Sequence, residues 1–208
     1  AASHKAEYEL VRHMGAPILR LGPLLTKTGE AVVSLPGGCA IGTRPIDLHL
    51  EGMKAMGAEI QLKEGYVHAH AKRLKGTTFL FEKITVGGTE NMMMAATLAE
   101  GVTVLENAAK EPEIVDLANY LNKMGAKITG HGTSVIRIEG VDKLRPAEHS
   151  VCPDRIEAGT LLIAGAITGG EVTVTHVDSQ YLEAFTLKLK EANFKIDSTK
   201  DTITVRKL

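Results

Sequence analysis

Neither sign of charge dominates this chain: 24 Lys and Arg stand against 25 Asp and Glu, a formal charge of −1 over 208 residues. Binding along a nucleic acid backbone needs a basic excess, so no nucleic acid partner is expected. No block of like charge suggests a tail. Long apolar runs are missing too. The stretch Leu161-Leu162-Ile163-Ala164-Gly165-Ala166-Ile167 is core-sized, far short of the roughly 20 residues a membrane-crossing helix needs, so no membrane is expected either. Cysteine is scarce. Cys39 and Cys152 do not make a disulfide framework, and the first residues lack the charged, apolar and small-residue order of a secretory leader. The expected compartment is the reducing cytoplasm, where a free thiol persists. Low-complexity segments and long linkers are also wanting.

What the chain does have is a repeat. Lys54-Ala55-Met56-Gly57-Ala58-Glu59-Ile60 is echoed by Asn122-Lys123-Met124-Gly125-Ala126-Lys127-Ile128 and by Lys190-Glu191-Ala192-Asn193-Phe194-Lys195-Ile196, with 68 residues between successive isoleucines. Each copy opens on an amphipathic stretch. In the second, Ile114, Leu117, Ala118, Leu121 and Met124 share one helical face. The pattern predicts helices at 47–56, around 114–124 and at 182–191. Each is followed by two strands, at 59–63 and 66–71, at 126–129 and 134–139, and at 195–197 and 202–205. Further helices are predicted at 90–100 and 156–167, leading into strands at 102–105 and 172–174. Both are apolar around most of their circumference and are expected inside, with Met92, Met93 and Met94 as core filler. The fold class is α/β (α+β), three repeats spanning about 15–75, 76–145 and 146–208 of one domain.

Chemistry points first to Cys39. Gly37-Gly38 precede it and Arg44 follows, so the thiol sits on a turn with backbone freedom. It reads either as a small apolar filler or as a thiol shifted toward thiolate by a nearby cation, able to protonate or attack a substrate carbon. His49 is its candidate partner. Arg44, Asp47 and His49 cluster at a helix start, with Pro45 expected at the first helical position and free N–H groups suited to phosphate. Asp47 alternatively serves only the helix dipole. Thr85-Val86-Gly87-Gly88-Thr89-Glu90 is a second anion-contact candidate, with Thr89 as the expected cap; it is no P-loop, lacking the Gly-Lys-Ser/Thr ending. Glu111 precedes a helix and remains open as ion pair or ligand contact. Cys152 reads as structural, in a strand-like segment. His68 and His70 share one strand face, solvated rather than metal-binding.

The motifs PGGCAIGTRPIDLH (36–49), VGGTENMMMAATLAEG (86–101), ENAAKEPEIVDLANYLNKMGAKI (106–128) and CPDRIEAGT (152–160) resemble the enolpyruvyl transferase family, and within it the UDP-N-acetylglucosamine 1-carboxyvinyltransferases. The resemblance implies βαβαββ units in a pseudo-threefold arrangement, inner helices with outward-facing sheets. It implies enolpyruvyl transfer from phosphoenolpyruvate to the 3′-hydroxyl of UDP-N-acetylglucosamine in peptidoglycan synthesis, with phosphate released and no cofactor or metal. Cys39 would be the general acid and the residue alkylated by fosfomycin. Arg44, Pro45, Ile46, Asp47 and Leu48, then Lys83, Ile84, Thr85 and Val86, and Glu111 would bind substrate. Gly15-Ala16-Pro17 stands where the family carries Arg-Ala-Ser, so one substrate contact is expected to be absent or supplied by another residue. The family's Lys-Asn pair, general-base aspartate and later arginines have no match here. The missing second domain is therefore an expected partner, and the chain alone is expected to turn over weakly. The competing reading is a non-catalytic binding or structural module built on the same repeat.

Overall fold

The computed structural model describes residues 5–6, 17–35 and 45–207, and the chain divides into two compact units, Ala1–His149 and Ser150–Leu208. The first unit holds two copies of the repeat. Copy one runs β1 (Lys5–Ala6), a 3-10 turn (Pro17–Arg20), α1 (Leu21–Thr28), β2 (Glu30–Ser34), α2 (Asp47–Ala55), β3 (Glu59–Lys63) and β4 (Tyr66–His70). Copy two runs β5 (Thr78–Leu80), α3 (Val86–Ala96), β6 (Val102–Glu106), α4 (Pro112–Lys123), β7 (Lys127–Thr129) and β8 (Val135–Glu139). Their sheets have the same order, β1-β2-β4-β3 and β5-β6-β8-β7. In each, the short leading strand is parallel to its neighbour and the other pairs are antiparallel.

The second unit holds the third copy: α5 (Arg155–Ile167), β9 (Glu171–Thr175), a 3-10 turn (Ser179–Leu182), α6 (Glu183–Glu191), β10 (Phe194–Ser198) and β11 (Thr202–Lys207). Its sheet is β10-β11-β9, antiparallel throughout. No counterpart of β1 or β5 lies on the outer side of β9 among the described residues, and the stretch around Cys152, read as strand-like, has no regular structure. Arg206 on β11 reaches Asp197 on β10 and Glu171 on β9, tying the three strands from their outer face.

The repeat is carried by its stop signals. Gly57 and Gly125 follow α2 and α4 with φ of +90° and +100°, and at the equivalent place after α6 Asn193 takes φ +68°. A left-handed residue there ends the helix and turns the chain into the next strand. Glycine does so without steric cost, and asparagine is among the few side chains that tolerate it. α1 is short and contains Pro23, which sits in the first turn where no intrahelical donor is lost.

Strand alternation supplies one wall of the first unit's core. Ala31 and Val33 on β2, Val67 and Ala69 on β4, and Ile136 and Ile138 on β8 are buried, with exposed or half-buried residues between them. α3 forms the centre, packing on α1, α2 and α4. Met92 and Met93 are fully buried there, each removing apolar surface worth about 1.5–3 kcal/mol from water. Such helix contacts require small residues. A Cβ on Gly22 of α1 would overlap the Asn91 carbonyl oxygen and come within 2.6 Å of its Oδ1, and one on Gly52 of α2 would overlap the Met92 sulfur.

In the second unit Ala158, Leu162 and Ala166 of α5 pack against Val174, Leu182, Ile203 and Val205. The expectation that this helix lies inside holds for that face only: Ile156 and Ile167 are 62% and 77% exposed. No helix among the described residues is long and apolar enough to cross a membrane.

Candidate functional site

The segment expected to bind substrate ahead of α2 enters the helix differently from the sequence reading. Ile46 is the N-cap and Asp47 opens the helix, so Pro45 stands one residue before the cap instead of at the first helical position. The helix then closes through bonds from the His49 and Leu50 N–H groups to the Ile46 carbonyl, 3.0 and 3.1 Å. Pro45 and Asp47 are exposed, while Ile46 and Leu48 are half-buried and anchor the segment on the core. Cys39 and Arg44 lie outside the described residues.

Residues 83–86 lead directly into α3. The helix begins at Val86, four residues earlier than its apolar pattern suggests, because Val86-Gly87-Gly88 is helical and not a turn. Thr85 is the cap, its Oγ1 accepting from Gly88 N at 3.1 Å. Thr89, expected in that role, is fully buried one turn further on. Its hydroxyl donates to the Thr85 carbonyl at 2.7 Å and accepts from Ala109 N at 3.1 Å. That second bond holds the loop before α4 against the start of α3. Glu111 is thereby placed at the N-cap of α4, half-buried, with Oε2 accepting from Lys110 N at 2.8 Å. Lys83 and Ile84 are exposed, Ile84 an apolar side chain open to solvent beside the cap.

What joins residues 45–48 to residues 83–86 is His49. A Cβ built on Gly87 would lie 3.4 Å from His49 Cε1 and 3.6 Å from Nε2, so the imidazole rests on the first turn of α3. Its other nitrogen meets Asn91, a fully buried amide that sequence reasoning overlooked. Asn91 Oδ1 accepts from Gly22 N at 2.7 Å, and Nδ2 donates to the Ile18 carbonyl at 2.9 Å and lies 3.0 Å from His49 Nδ1. One side chain thus fixes the 3-10 turn, α1, α2 and α3 to one another. The signal was visible: a lone amide amid Met and Ala in an apolar helix demands buried partners.

Burial, without a compensating charge, pulls the His49 pKa down to about 4. One turn along α3 from the cap, the Glu90 carboxyl is pushed up, first by burial and then by the nearby Glu113. No group of three or more His, Cys, Asp or Glu able to hold a metal occurs among the described residues. His68 and His70 lie on the open face of β4 as read, His70 3.8 Å from Glu30. Asp154 caps α5 through Ile156 N and Glu157 N, ordinary helix-start chemistry. A groove of about 890 Å³ lies elsewhere on the first unit, between Lys27, Met94, Tyr120 and Arg145, and includes none of the sequence-predicted residues.

Comparison with known proteins gives this arrangement a context. The family described as EPSP synthase (3-phosphoshikimate 1-carboxyvinyltransferase) matches residues 1–208. A UDP-N-acetylglucosamine 1-carboxyvinyltransferase of Bdellovibrio bacteriovorus is 74% identical over 204 residues, covering 98% of this chain and 49% of that protein. One from Koribacter versatilis is 58% identical over 97% of this chain and 46% of that protein. The chain therefore spans about half the length of the curated relatives it matches. Among solved structures, the enolpyruvyl transferase NikO from Streptomyces tendae superposes with a TM-score of 0.82 over 99% of this chain and 50% of that one, at 21% identity. An EPSP synthase from Acinetobacter baumannii gives 0.65 over 92% of this chain and 46% of that one, also at 21% identity. Both show the shared fold.

Proposed function

Since the chain belongs to the EPSP synthase family, we propose that it carries the cysteine-loop part of a UDP-N-acetylglucosamine 1-carboxyvinyltransferase. The reaction moves enolpyruvyl from phosphoenolpyruvate to the 3′-hydroxyl of UDP-N-acetylglucosamine and releases phosphate, a step of peptidoglycan synthesis in the cytoplasm. The 74% identity to a relative of that name supports this most directly. On this reading a second half, matching the remainder of those relatives, completes the site, and the chain without it turns over weakly.

The chemistry asks for a proton at the methylene of phosphoenolpyruvate while the sugar hydroxyl, losing its own proton, bonds to C2. The adduct then loses a proton from the newly formed methyl group and expels phosphate, restoring the enol double bond. Cys39 supplies the incoming proton as general acid. Arg44 meets the anionic substrate as a fixed cation with a planar fork of donors. Residues 45–48 and Lys83, Ile84, Thr85 and Val86 hold the nucleotide, and Glu111 borders them.

Fosfomycin labelling followed by peptide mass spectrometry tests the assignment. The expected result is one adduct on Cys39, blocked by excess phosphoenolpyruvate and lost in Cys39→Ser, with Cys152 unlabelled. Equal labelling of wild type and Cys39→Ser, or labelling indifferent to phosphoenolpyruvate, would favour the non-catalytic module instead.

A further inference from the structure

The groove beside α4 corresponds, by the repeat, to a helix face that is closed in copy one. A shift of 68 residues carries His49 and Gly52 of α2 onto Leu117 and Tyr120 of α4, and Met56 onto Met124 just past the helix. In copy one this face is covered. His49 is 7% exposed and Met56 is fully buried. His49 meets Asn91, and Gly52 lies so near α3 that a Cβ there would overlap the Met92 sulfur. What covers α2 is therefore α3, the leading helix of the following copy. In copy two, Leu117, Tyr120 and Met124 are half-buried and line the groove of about 890 Å³. Met94 and Leu98 line it as well, also half-buried, and every lining residue belongs to the first unit.

An array of repeats ends on a copy whose outer face is polar. Copy two instead ends on an apolar helix face, which a repeat cannot bury by itself. By the repeat, the partner of that face is the leading helix of a further copy. The rim adds a charge requirement. Lys27, Lys72, Lys143 and Arg145 are exposed around the groove, and the only carboxylate among its described lining residues, Asp142, lies 3.5 Å from Arg73. Lys27 is in the last turn of α1 and Met94 in that of α3, so both helices bring their C-terminal ends here. A third helix parallel to them adds the partial negative charge of its own end, and acidic side chains in its last turn would meet those cations. The curated relatives run about twice the length of this chain, which leaves room for further copies of a 68-residue unit.

We propose that the groove lined by α1, α3 and α4 is an assembly surface for the leading helix of a further copy of the repeat. That helix is apolar on the face it buries and acidic at its C-terminal end. Under the reading above, on which this inference rests, it is carried by the half of the relatives that this chain does not match. The groove includes none of the residues assigned to substrate, so assembly and substrate binding use different surfaces of the first unit.

Calorimetry and stopped-flow mixing of the 208-residue chain with the remaining half of the Bdellovibrio bacteriovorus relative measure the association. Wild type should bind this probe. Leu117→Asp sets a charge in the apolar wall and should weaken binding by about thirty-fold or more. Lys27→Glu combined with Lys143→Glu alters only exposed side chains, so the fold is kept. This double variant should slow association about ten-fold at low salt and weaken its dependence on ionic strength. Hydroxyl-radical footprinting supplies an independent readout. Met94 and Met124 should react in the chain alone and be protected in the mixture, while the fully buried Met92 and Met93 stay unreactive in both.

No binding by wild type, wild-type binding in both variants, or Met94 and Met124 already protected in the chain alone overturns the inference. So does a dimer of the chain that Leu117→Asp disrupts while the probe stays unbound, which gives the groove to a second copy. Should Leu117→Asp not fold, the double variant and the footprint decide. Fosfomycin labelling keeps the two readings apart. If Cys39 is labelled as expected and the variants bind the probe like wild type, only this inference fails. If the variants lose the probe but Cys39 is not labelled, the groove assignment stands and the enzyme assignment fails.

Discussion

Gly22→Ala is the sharpest test of how the first unit is held together. The added methyl would overlap the carbonyl oxygen of Asn91 and approach Oδ1 to 2.6 Å and the Ala95 Cβ to 3.1 Å. Backbone cannot swing aside as a flexible side chain can, so α1 must move off α3. Overpacking of this kind costs about 1–3 kcal/mol. Moving α1 also stretches the 2.7 Å bond from Gly22 N to Asn91, and leaving those buried groups unpaired costs about 1–3 kcal/mol more. The better helix propensity of alanine returns at most about 1 kcal/mol. The net loss is about 3 kcal/mol, or roughly 10 °C in Tm for a unit of this size. Gly159→Ala on α5 is the matched control, since its methyl would meet nothing closer than 3.7 Å and should raise the stability of its own unit by about 0.5–1 kcal/mol. Urea unfolding followed by circular dichroism measures both. If Gly22→Ala leaves the midpoint unchanged or raises it, the close helix approach is not what fixes α1 on α3.

Two other outcomes follow from the site and one from the second unit. His49 has a folded pKa of about 4 against 6.5 unfolded, so the unfolded chain takes up its proton first. Stability should fall by about 3 kcal/mol between pH 6.5 and 4 and level off below, and His49→Asn, compared across that window by urea titration, should remove the slope. Glu90 is held above the carboxylate range by burial and by Glu113, so its ionised form opposes folding at neutral pH. Glu90→Gln should raise the urea midpoint at pH 7, with the gain shrinking as acid protonates the wild-type carboxyl. Asp154→Ala removes the acceptor for two helix-start N–H groups and should lower the melting temperature of the second unit by the equivalent of about 1 kcal/mol, with Asp154→Asn losing less.

The elements readable in the sequence were those whose periodicity ran for several turns or pleats. α2, α4 and the hairpins β3–β4 and β7–β8 lie within a residue or two of their expected bounds, because burial on one face writes a regular pattern. β1 and β5 left no such trace: two or three residues are too few to alternate. α1, at eight residues with Gly22 and Pro23 near its start, looks like a turn until tertiary contact is known. The start of α3 was misplaced for a related reason. Val86-Gly87-Gly88-Thr89 has loop composition, yet it is helical because Thr85 caps it and His49 packs on it.

At the site, sequence pattern identified the segments but not the wiring between them. His49 is a candidate partner for Cys39, which lies outside the described residues; what the sequence hid is that the His49 Nδ1 is engaged by Asn91, 42 residues along the chain. Contacts of that separation have no local signature. The clue was chemical: an amide surrounded by methionines must be bonded to something. The assignments of Cys39 and Arg44 rest on motif resemblance.

β9 in the second unit differs from β2 and β6 in having no short parallel strand along its outer side among the described residues. After Glu171, its residues Val172 to Thr175 alternate valine and threonine, a composition that favours extended pairing. A bare ladder of amides and carbonyls is a template for a foreign strand or for the same strand of another copy. Prepared by itself at high concentration, this unit would be limited by zippering between molecules before heat unfolded it. A lysine at Thr173 should raise that ceiling without altering the melting point much.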